Sequence, residues 1–389
     1  MRIPLSAPDI SDAEIAAVVE VLRSPHLSLG PKLDEFERLA AEYAETTHAV
    51  AVNSGTSGLH LCVRALGIGR GDEVITTPFS FIASANVLLY EGAKPVFVDI
   101  DSRTLNIDPS RIEAAVTPQT RAIMVVHVFG RPSPMREILE IAGHHQLRVI
   151  EDACEAIGAE YGGRRVGSIG DAGVFAFYPN KQITTGEGGV IITNSQSVAT
   201  RAKVLRNQGR APAAGWFEHI ELGYNYRLSD INCALGVEQL KRIESILRAR
   251  ESVARRYEQR LRGNPNLTLP EIDCPDGRIS WFVYVVRLSD DFTRAQRDWI
   301  VSEMRKAGIG CGRYFAPIHL QPLYAGSFGF REGDFPVTEH HAERALALPF
   351  FNRITDAQLD EACARLDHLI RAARSPHSRL PLNHLLDNT

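Results

Sequence analysis

The chain is short of lysine. Its 43 basic residues include only six Lys (Lys32, Lys94, Lys181, Lys203, Lys241 and Lys306), so chemistry that needs an amine has six candidates. The six cysteines (Cys62, Cys154, Cys233, Cys274, Cys311 and Cys363) lie at least 37 residues apart and form no CxxC pair. That spacing removes zinc-ribbon, iron–sulfur and dithiol readings, and a reduced, cytoplasmic protein is expected. Long apolar runs are absent. The longest, such as Ala122–Val128, are too short to cross a bilayer. The opening MRIPLSAPDISDAE turns polar and acidic at once, so no secretory signal is expected. An excess of one charge is lacking too: a formal net charge of −4 leaves no basic face for nucleic acid. No His-Glu-x-x-His, Gly-x-Ser-x-Gly or Walker A motif occurs, which sets aside zinc-hydrolase, serine-hydrolase and P-loop chemistry. The adjacent pairs His144-His145 and His340-His341 diverge by about 100° on a helix and are poor shared metal ligands.

With 389 residues, 44% of them hydrophobic, there is material for one large domain and a smaller appendage. Ser11 and Glu14 form a capping box before Ile15, Val18, Val19 and Leu22 at helical spacing. Pro31 opens a second helix carrying Leu33, Phe36, Ala40 and Tyr43. Short β-branched runs follow at 49–52, 73–76, 95–98, 122–128, 148–151, 173–177 and 189–193, with helical stretches such as 57–66 and 136–145 between them. Strands apolar on both faces and linked by helices predict an α/β fold, with a mainly parallel, seven-stranded sheet covered on both sides as a three-layer αβα sandwich. A long helix from Ile231 through Glu251 leads into a smaller α+β unit, with a strand over 281–286 and helices over 294–307 and 356–373. The expected division is 1–245 for the N-terminal arm and large domain, 246–375 for the small domain, and 376–389 for a loose tail. Gly67-Ile68-Gly69-Arg70-Gly71 follows a helix and precedes a strand, the wrong order for a dinucleotide loop, and reads as a connecting turn.

Three constellations carry chemistry. Asn53-Ser54-Gly55-Thr56-Ser57-Gly58 lies between a strand and a helix, where small residues let amides and hydroxyls converge on an anion; a plain N-capped turn is the alternative. Val149-Ile150-Glu151-Asp152 is an apolar strand ending in two carboxylates that point to opposite faces, for which a structural ion pair is the alternative. Lys181 leaves the apolar strand Phe175–Phe177 for the Gly-rich turn Gly186-Glu187-Gly188-Gly189, whereas the other five Lys sit on charged helices or in a turn. A desolvated Lys forms Schiff bases; a hairpin surface Lys is the alternative. Phe79 and Phe81 follow a strand end and offer either a ring to cover a ligand or ordinary core packing. In this order on an α/β sheet, phosphate cradle, strand-end carboxylate and Lys meet the needs of pyridoxal phosphate.

The segments SGTSGLHL, TPFSFIASANV, VIEDACEAIGA, FYPNKQITTGEGG, GYNYRLSDINCALG and PIHLQPLY resemble, in that order, the motifs of the DegT/DnrJ/EryC1/StrS family, fold-type I pyridoxal-phosphate aminotransferases acting on nucleotide-linked keto sugars. The resemblance runs from about Ile3 to Asn352. It implies that Lys181 holds the cofactor as a Schiff base and shuttles protons, that Asp152 pairs with the pyridinium nitrogen, and that Phe81 stacks on the ring. Gly55, Thr56 and Ser57 would hold the phosphate, helped by Asn225 of a facing subunit, so a homodimer with shared sites is implied. Glu155 falls near the ring hydroxyl. The sugar nucleotide is expected near Ser6, Gly30, Tyr178, Arg227, Tyr314 and His319; His319 also reads as a satisfied histidine beside Pro317. Many relatives carry Ser five residues before the Lys as a phosphate ligand, where this chain has Ala176. Relatives with His in place of the Lys are dehydratases, a variant not expected here.

The resulting expectation is an aminotransferase carrying an amino group from an amino acid, glutamate by family analogy, to the ketone of an NDP-4-keto-6-deoxyhexose. An NDP-3-keto sugar or a non-catalytic, regulatory relative is the alternative. No metal, nucleic acid or membrane partner is expected.

Overall fold

The computed structural model describes residues 2–210 and 218–374. The tail expected over 376–389 lies outside the described residues. In chain order the helices are α1 (Asp12–Leu22), α2 (Pro31–Ala44), α3 (Gly55–Ala65), α4 (Ala83–Tyr90), α5 (Met135–His145), α6 (Gln196–Arg206), α7 (Asp230–Lys241), α8 (Ile243–Leu261), α9 (Arg294–Lys306), α10 (Pro322–Phe328), α11 (Pro336–Arg344) and α12 (Asp356–Arg374). The strands are β1 (His48–Val52), β2 (Glu73–Thr76), β3 (Lys94–Phe97), β4 (Thr120–Val126), β5 (Arg148–Asp152), β6 (Glu160–Tyr161), β7 (Arg164–Arg165), β8 (Ala172–Ala176), β9 (Gly189–Thr193), β10 (Leu267–Thr268), β11 (Gly277–Arg278), β12 (Tyr284–Leu288) and β13 (Ala345–Leu348).

Seven strands form one sheet in the order β1-β9-β8-β5-β4-β2-β3. Only β9 runs against the others, pairing antiparallel with both β1 and β8. Alternate residues fill opposite faces. Ala49, Ala51, Phe175, Val190 and Ile192 pack with α2 and α7, and Ile123, Val125 and Val149 pack with α5 on the same side. Val50, Val52, Met124, Ile150, Val174 and Ile191 pack with α3, α4 and α6 on the other. The expected three-layer αβα sandwich is what forms. Because six strands run one way, their carboxyl ends share one edge, where ligands bind in such sheets.

A separate hydrophobic core gathers α8, β12, α9, β13 and α12 around Tyr257, Tyr284, Phe350 and Leu366, and it also takes in Ile3. Ile3 reaches it by bridging in parallel to Ile309, its amide donating to Gly308 O at 3.0 Å and its carbonyl accepting from Gly310 N at 2.7 Å.

Three elements differ from expectation. On α1 the buried face is Glu14, Ala17 and Val21, packed against Ala234 and Ile231, while Ile15, Val19 and Leu22 are exposed. The Glu14 carboxylate turns the helix: it accepts from Ser11 N at 2.8 Å, Gln239 Nε2 at 2.6 Å and Arg242 Nε at 2.6 Å. The long helix from Ile231 is broken at Arg242 (φ −117°, ψ 15°), between α7 and α8. Arg242 spends its side chain on Glu14 and on the Asp9 carbonyl, tying the N-terminal arm down at the break. The strand expected at 281–286 starts at Tyr284 instead, because the buried Arg250 guanidinium takes the Trp281 and Phe282 carbonyls at 2.6 and 2.7 Å, away from the ladder.

Candidate active site

A cavity of about 430 Å³ opens at the carboxyl edge of the sheet. β1 ends into Ser54, the N-cap of α3, whose hydroxyl accepts from Ser57 N at 3.1 Å. Ser54, Gly55 and Thr56 line the cavity, so the positive end of α3 and its unpaired first-turn amides face it. Gly55 fits because nothing larger does: a Cβ there would stand 2.7 Å from Ala176 Cβ and 2.9 Å from Cys154 Sγ. The Ser57 side chain is engaged elsewhere, donating to Asn53 Oδ1 at 2.6 Å. Ala176, at the end of β8, also lines the wall and offers no hydroxyl.

The two carboxylates ending β5 part company. Glu151 is fully buried away from the cavity and accepts from the amides of Gly167 (2.7 Å), Ile169 (2.7 Å) and Gly170 (2.6 Å). His127 Nε2 lies 3.0 Å from Glu151, and since His127 Nδ1 accepts from Ser133 N at 3.0 Å, it is Nε2–H that donates. Glu151 is therefore an anchor for the loop before β8. Asp152 lines the cavity, its Oδ1 accepting from Cys154 N at 3.2 Å.

Lys181 reaches the same cavity from the turn after β8. Its Nζ lies 3.7 Å from Glu155 Oε1 and 4.1 Å over the ring of Phe282. Burial pushes the Glu155 carboxyl above its ordinary value; the Lys181 ammonium and the Phe129 amide, which donates to Glu155 Oε2 at 3.0 Å, pull the other way. Burial also drives the neighbouring Cys154 thiol well up, so it is no nucleophile. The next residue, Gln182, clamps the turn: Nε2 donates to the carbonyl of Glu155 at 2.6 Å and to that of Ser280 at 3.0 Å. Asn232 Nδ2 holds the Thr185 carbonyl at 2.5 Å from α7.

Aromatic rings frame the mouth. Phe81 (61% exposed) and Tyr178 (52%) stand at the rim, and Tyr314 and Phe315 close another side. Phe79 is instead a core residue, packed edge-on against Phe129 and Phe315. Burial raises the Tyr314 phenol above its ordinary value.

The remaining candidates lie outside this cavity in a single chain. Gly30 caps α2 against Asp230, whose Oδ1 accepts its amide at 2.9 Å and whose carboxylate a Cβ would strike. His319 is fully buried, 2.9 Å from Glu339 Oε1 and edge-on to Phe335, so it is a packed histidine rather than part of the cavity wall. Ser6 is half-buried on the N-terminal arm. Arg227 donates to Asn207 Oδ1 at 3.0 Å, and the exposed Asn225 bridges to Asn207. At the surface, His144 and His145 come closer to a shared ligand set than adjacent helix positions suggest. Their nitrogens and a Glu113 oxygen lie within 4.8 Å of one another, and His145 Nε2 is paired with Glu113 Oε1 at 2.6 Å.

Phe282, Phe315 and Gln182 had no marker in the sequence beyond the position of Gln182 beside Lys181. The first two sit more than 100 residues on and arrive by tertiary folding alone.

The residues fit pyridoxal phosphate. A helix N-terminus stands ready for an anion beside a Gly-to-Ala contact that keeps the wall close, and a carboxylate, an amine and a rim aromatic line one cavity. Comparison with known proteins agrees. The sequence profile of the DegT/DnrJ/EryC1/StrS aminotransferase family matches residues 8–367. The chain is 41% identical over 372 residues to GDP-perosamine synthase of Caulobacter vibrioides, covering 95% of this chain and 98% of that protein. It is 39% identical over 381 residues to the spore coat polysaccharide biosynthesis protein SpsC of Bacillus subtilis, covering 95% and 98%. The fold superposes on the PLP form of a putative sugar aminotransferase from Streptococcus pneumoniae with a TM-score of 0.92 at 28% identity, over 96% of this chain and 100% of that one. Helicobacter pylori PseC, an aminotransferase involved in the biosynthesis of pseudoaminic acid, gives 0.91 at 28% identity, over 96% and 100%. The chain belongs to the DegT/DnrJ/EryC1/StrS aminotransferase family and is a pyridoxal-phosphate-dependent sugar aminotransferase.

Proposed function

We propose that this sugar aminotransferase takes its amino group from glutamate and delivers it to the ketone of a nucleotide-linked deoxysugar, an NDP-4-keto-6-deoxyhexose. The observation that carries the reading is the convergence of Lys181, Asp152 and the N-terminus of α3 on one cavity at the carboxyl edge of the sheet. Similarity to a relative named for a GDP-linked sugar supports a nucleotide-activated substrate.

Pyridoxal phosphate, when bound, supplies a carbonyl that takes up the amino group and a protonated ring that draws electrons from the reacting carbon. The protein's part is to hold and to move protons. Of the expected cradle Gly55, Thr56 and Ser57, the first two line the cavity, and with Ser54 they would present amides and hydroxyls to the phosphate. Asp152, a buried carboxylate in the cavity wall, would keep the proton on the ring nitrogen. Phe81 would cover a ring face, and Glu155 would stand near the ring hydroxyl. Lys181 Nζ, backed by Glu155 and Phe282, would carry a proton from the α-carbon of the donor to the carbon of the cofactor's carbonyl in the first half-reaction, and from that carbon to the sugar carbon in the second. Tyr178 and Tyr314 flank the path of the sugar.

The working unit in this reading is a cytoplasmic homodimer. Asn225 is exposed and outside its own chain's cavity, beside Ile220 (63% exposed) and Leu222 (74%). A facing subunit that covers those apolar side chains brings Asn225 and Arg227 to the neighbouring site, where a further donor compensates for Ala176. No described helix is long and apolar enough to cross a membrane.

The test is spectroscopic. Purified holoenzyme has a visible absorption band that glutamate bleaches; a panel of 3-keto and 4-keto nucleotide sugars is then added singly, and the 4-keto-6-deoxy member restores the band. A band that does not respond to glutamate, or that only a 3-keto sugar restores, overturns the donor or the substrate assignment respectively.

A further inference from the structure

We propose that Ser84 is a positioning residue for Asp152, the second member of a two-hydroxyl relay, Ser80 to Ser84 to Asp152, that sets the plane of the carboxylate at the cavity wall. Ser84 lies in the first turn of α4, fully buried, and Ser84 Oγ stands 2.6 Å from Asp152 Oδ2. Ser80 Oγ lies 2.9 Å from Ser84 Oγ.

The directions of both protons follow from counting donors. Ser84 has one hydroxyl proton and three acceptors in reach, Asp152 Oδ2 at 2.6 Å, Ser80 Oγ at 2.9 Å and the Phe81 carbonyl at 3.3 Å. An ionised carboxylate only accepts, and the shorter, charge-assisted bond wins. Ser84 Oγ is then left with lone pairs, so Ser80 donates to it. The other carboxylate oxygen, Oδ1, takes the Cys154 amide at 3.2 Å. Asp152 thus draws its donors from two different elements: Cys154, by amide and thiol, in the loop after β5, and Ser84 in the first turn of α4.

That matters because the terminal torsion of an aspartate is broad and two-fold, not held in one well. Removing Ser84 leaves the carboxylate plane to the Cys154 amide and the weakly donating Cys154 thiol. Ser84 itself does not line the cavity, whereas Ser80 and Asp152 do. It acts through Asp152. A serine that only filled space in α4 would show no such alignment on a cavity carboxylate.

The proposal rests on the reading that Asp152 pairs with the cofactor ring, so the experiment includes both. Holoenzymes of wild type, Asp152→Asn, Ser84→Ala, Ser84→Cys and Ser84→Thr are compared by far-ultraviolet circular dichroism for folding. The visible circular dichroism band of bound pyridoxal phosphate then reports how the ring is held. The rate at which saturating L-glutamate bleaches the visible band is the second readout. Ser84→Ala is expected to lose about half or more of the visible dichroism and to bleach about tenfold or more slowly, the range for losing a hydrogen bond to a charged group. Ser84→Thr, which keeps the hydroxyl, restores both. Where the alanine variant does not fold, Ser84→Cys, which keeps the shape but donates weakly, takes its place. An unchanged visible band in Asp152→Asn overturns the parent reading. A changed band in Asp152→Asn with an unchanged one in folded Ser84→Ala or Ser84→Cys, or no rescue by Ser84→Thr, overturns the relay.

Discussion

Lys181 Nζ and Glu155 Oε1 stand 3.7 Å apart, and the carboxyl of that pair is pushed above its ordinary value by burial even with the ammonium beside it. The amine of this site therefore has as its neighbour an acid that resists ionising, not a fully formed ion-pair partner.

Replacing Lys181 by Ala removes the only amine in the cavity among the described residues. Turnover is expected to fall by at least about 10³-fold, within the range that one general acid–base group supplies. Steady-state amination of a keto-sugar nucleotide measures this, and substantial residual turnover contradicts the proposed role.

Asp152→Asn keeps the shape of the side chain and removes its charge. Proton-transfer steps should slow far more than cofactor affinity falls. Single-turnover bleaching by glutamate, set beside a titration of the apoenzyme with pyridoxal phosphate, separates the two. Near-normal single-turnover rates are incompatible with the assignment.

Glu155 has a signed effect on the stability of the apoenzyme. Its folded value is raised above its ordinary 4.5, so between those two values the native state binds more protons than the unfolded one. Stability then falls as pH rises through that window. Glu155→Gln should remove this slope, so that the melting temperature of wild type minus that of the variant decreases from pH 4.5 upward. A difference that is flat or rises over the window refutes the sign.

Ala176 lines the cavity beside the N-terminus of α3. Ala176→Ser is expected to tighten pyridoxal phosphate about three- to tenfold, the worth of one ordinary hydrogen bond. Fluorescence titration of the apoenzyme reads it directly.

Glu14 fastens the N-terminal arm. Burial works against its charge, but hydrogen bonds from Ser11, Arg242 and Gln239 outweigh it and hold the carboxyl at about 2. The stabilisation is present above the ordinary value of 4.5 and is lost as pH falls toward 2. Glu14→Ala should cost about 2–4 kcal/mol at neutral pH, as expected when a buried charge network loses its acceptor, with the cost shrinking in acid. Denaturant unfolding at several pH values checks both magnitude and trend.

What the sequence made legible was local. Lys181 stood out because it alone leaves an apolar strand for a Gly-rich turn, and Asp152 because a carboxylate ending a buried strand must have a use. The alternation that put Glu151 and Asp152 on opposite faces held, and with it the sheet and its helix-covered faces. The parts not legible depend on partners far away in the chain. Gly30 is explained by Asp230, 200 positions later, and His319 by Glu339 and Phe335. Periodicity on α1 pointed to Ile15, Val18, Val19 and Leu22 as one stripe, of which only Val18 is half-buried; a carboxylate bonded to Arg242 and Gln239 outweighed it. The start of β12 was shifted by Arg250, whose claim on two carbonyls no local pattern announces.

The parallel bridge of Ile3 to Ile309 makes the second hydrophobic core discontinuous in sequence. Ile3 thus belongs to a core whose other buried members begin some two hundred and fifty residues later in the chain. A fragment beginning near residue 246 would start life with a slot in its core and two carbonyl and amide groups at Gly308 and Gly310 unanswered. Adding a synthetic peptide spanning the first dozen residues to such a fragment should fill that slot, which turns a topological detail into a complementation assay.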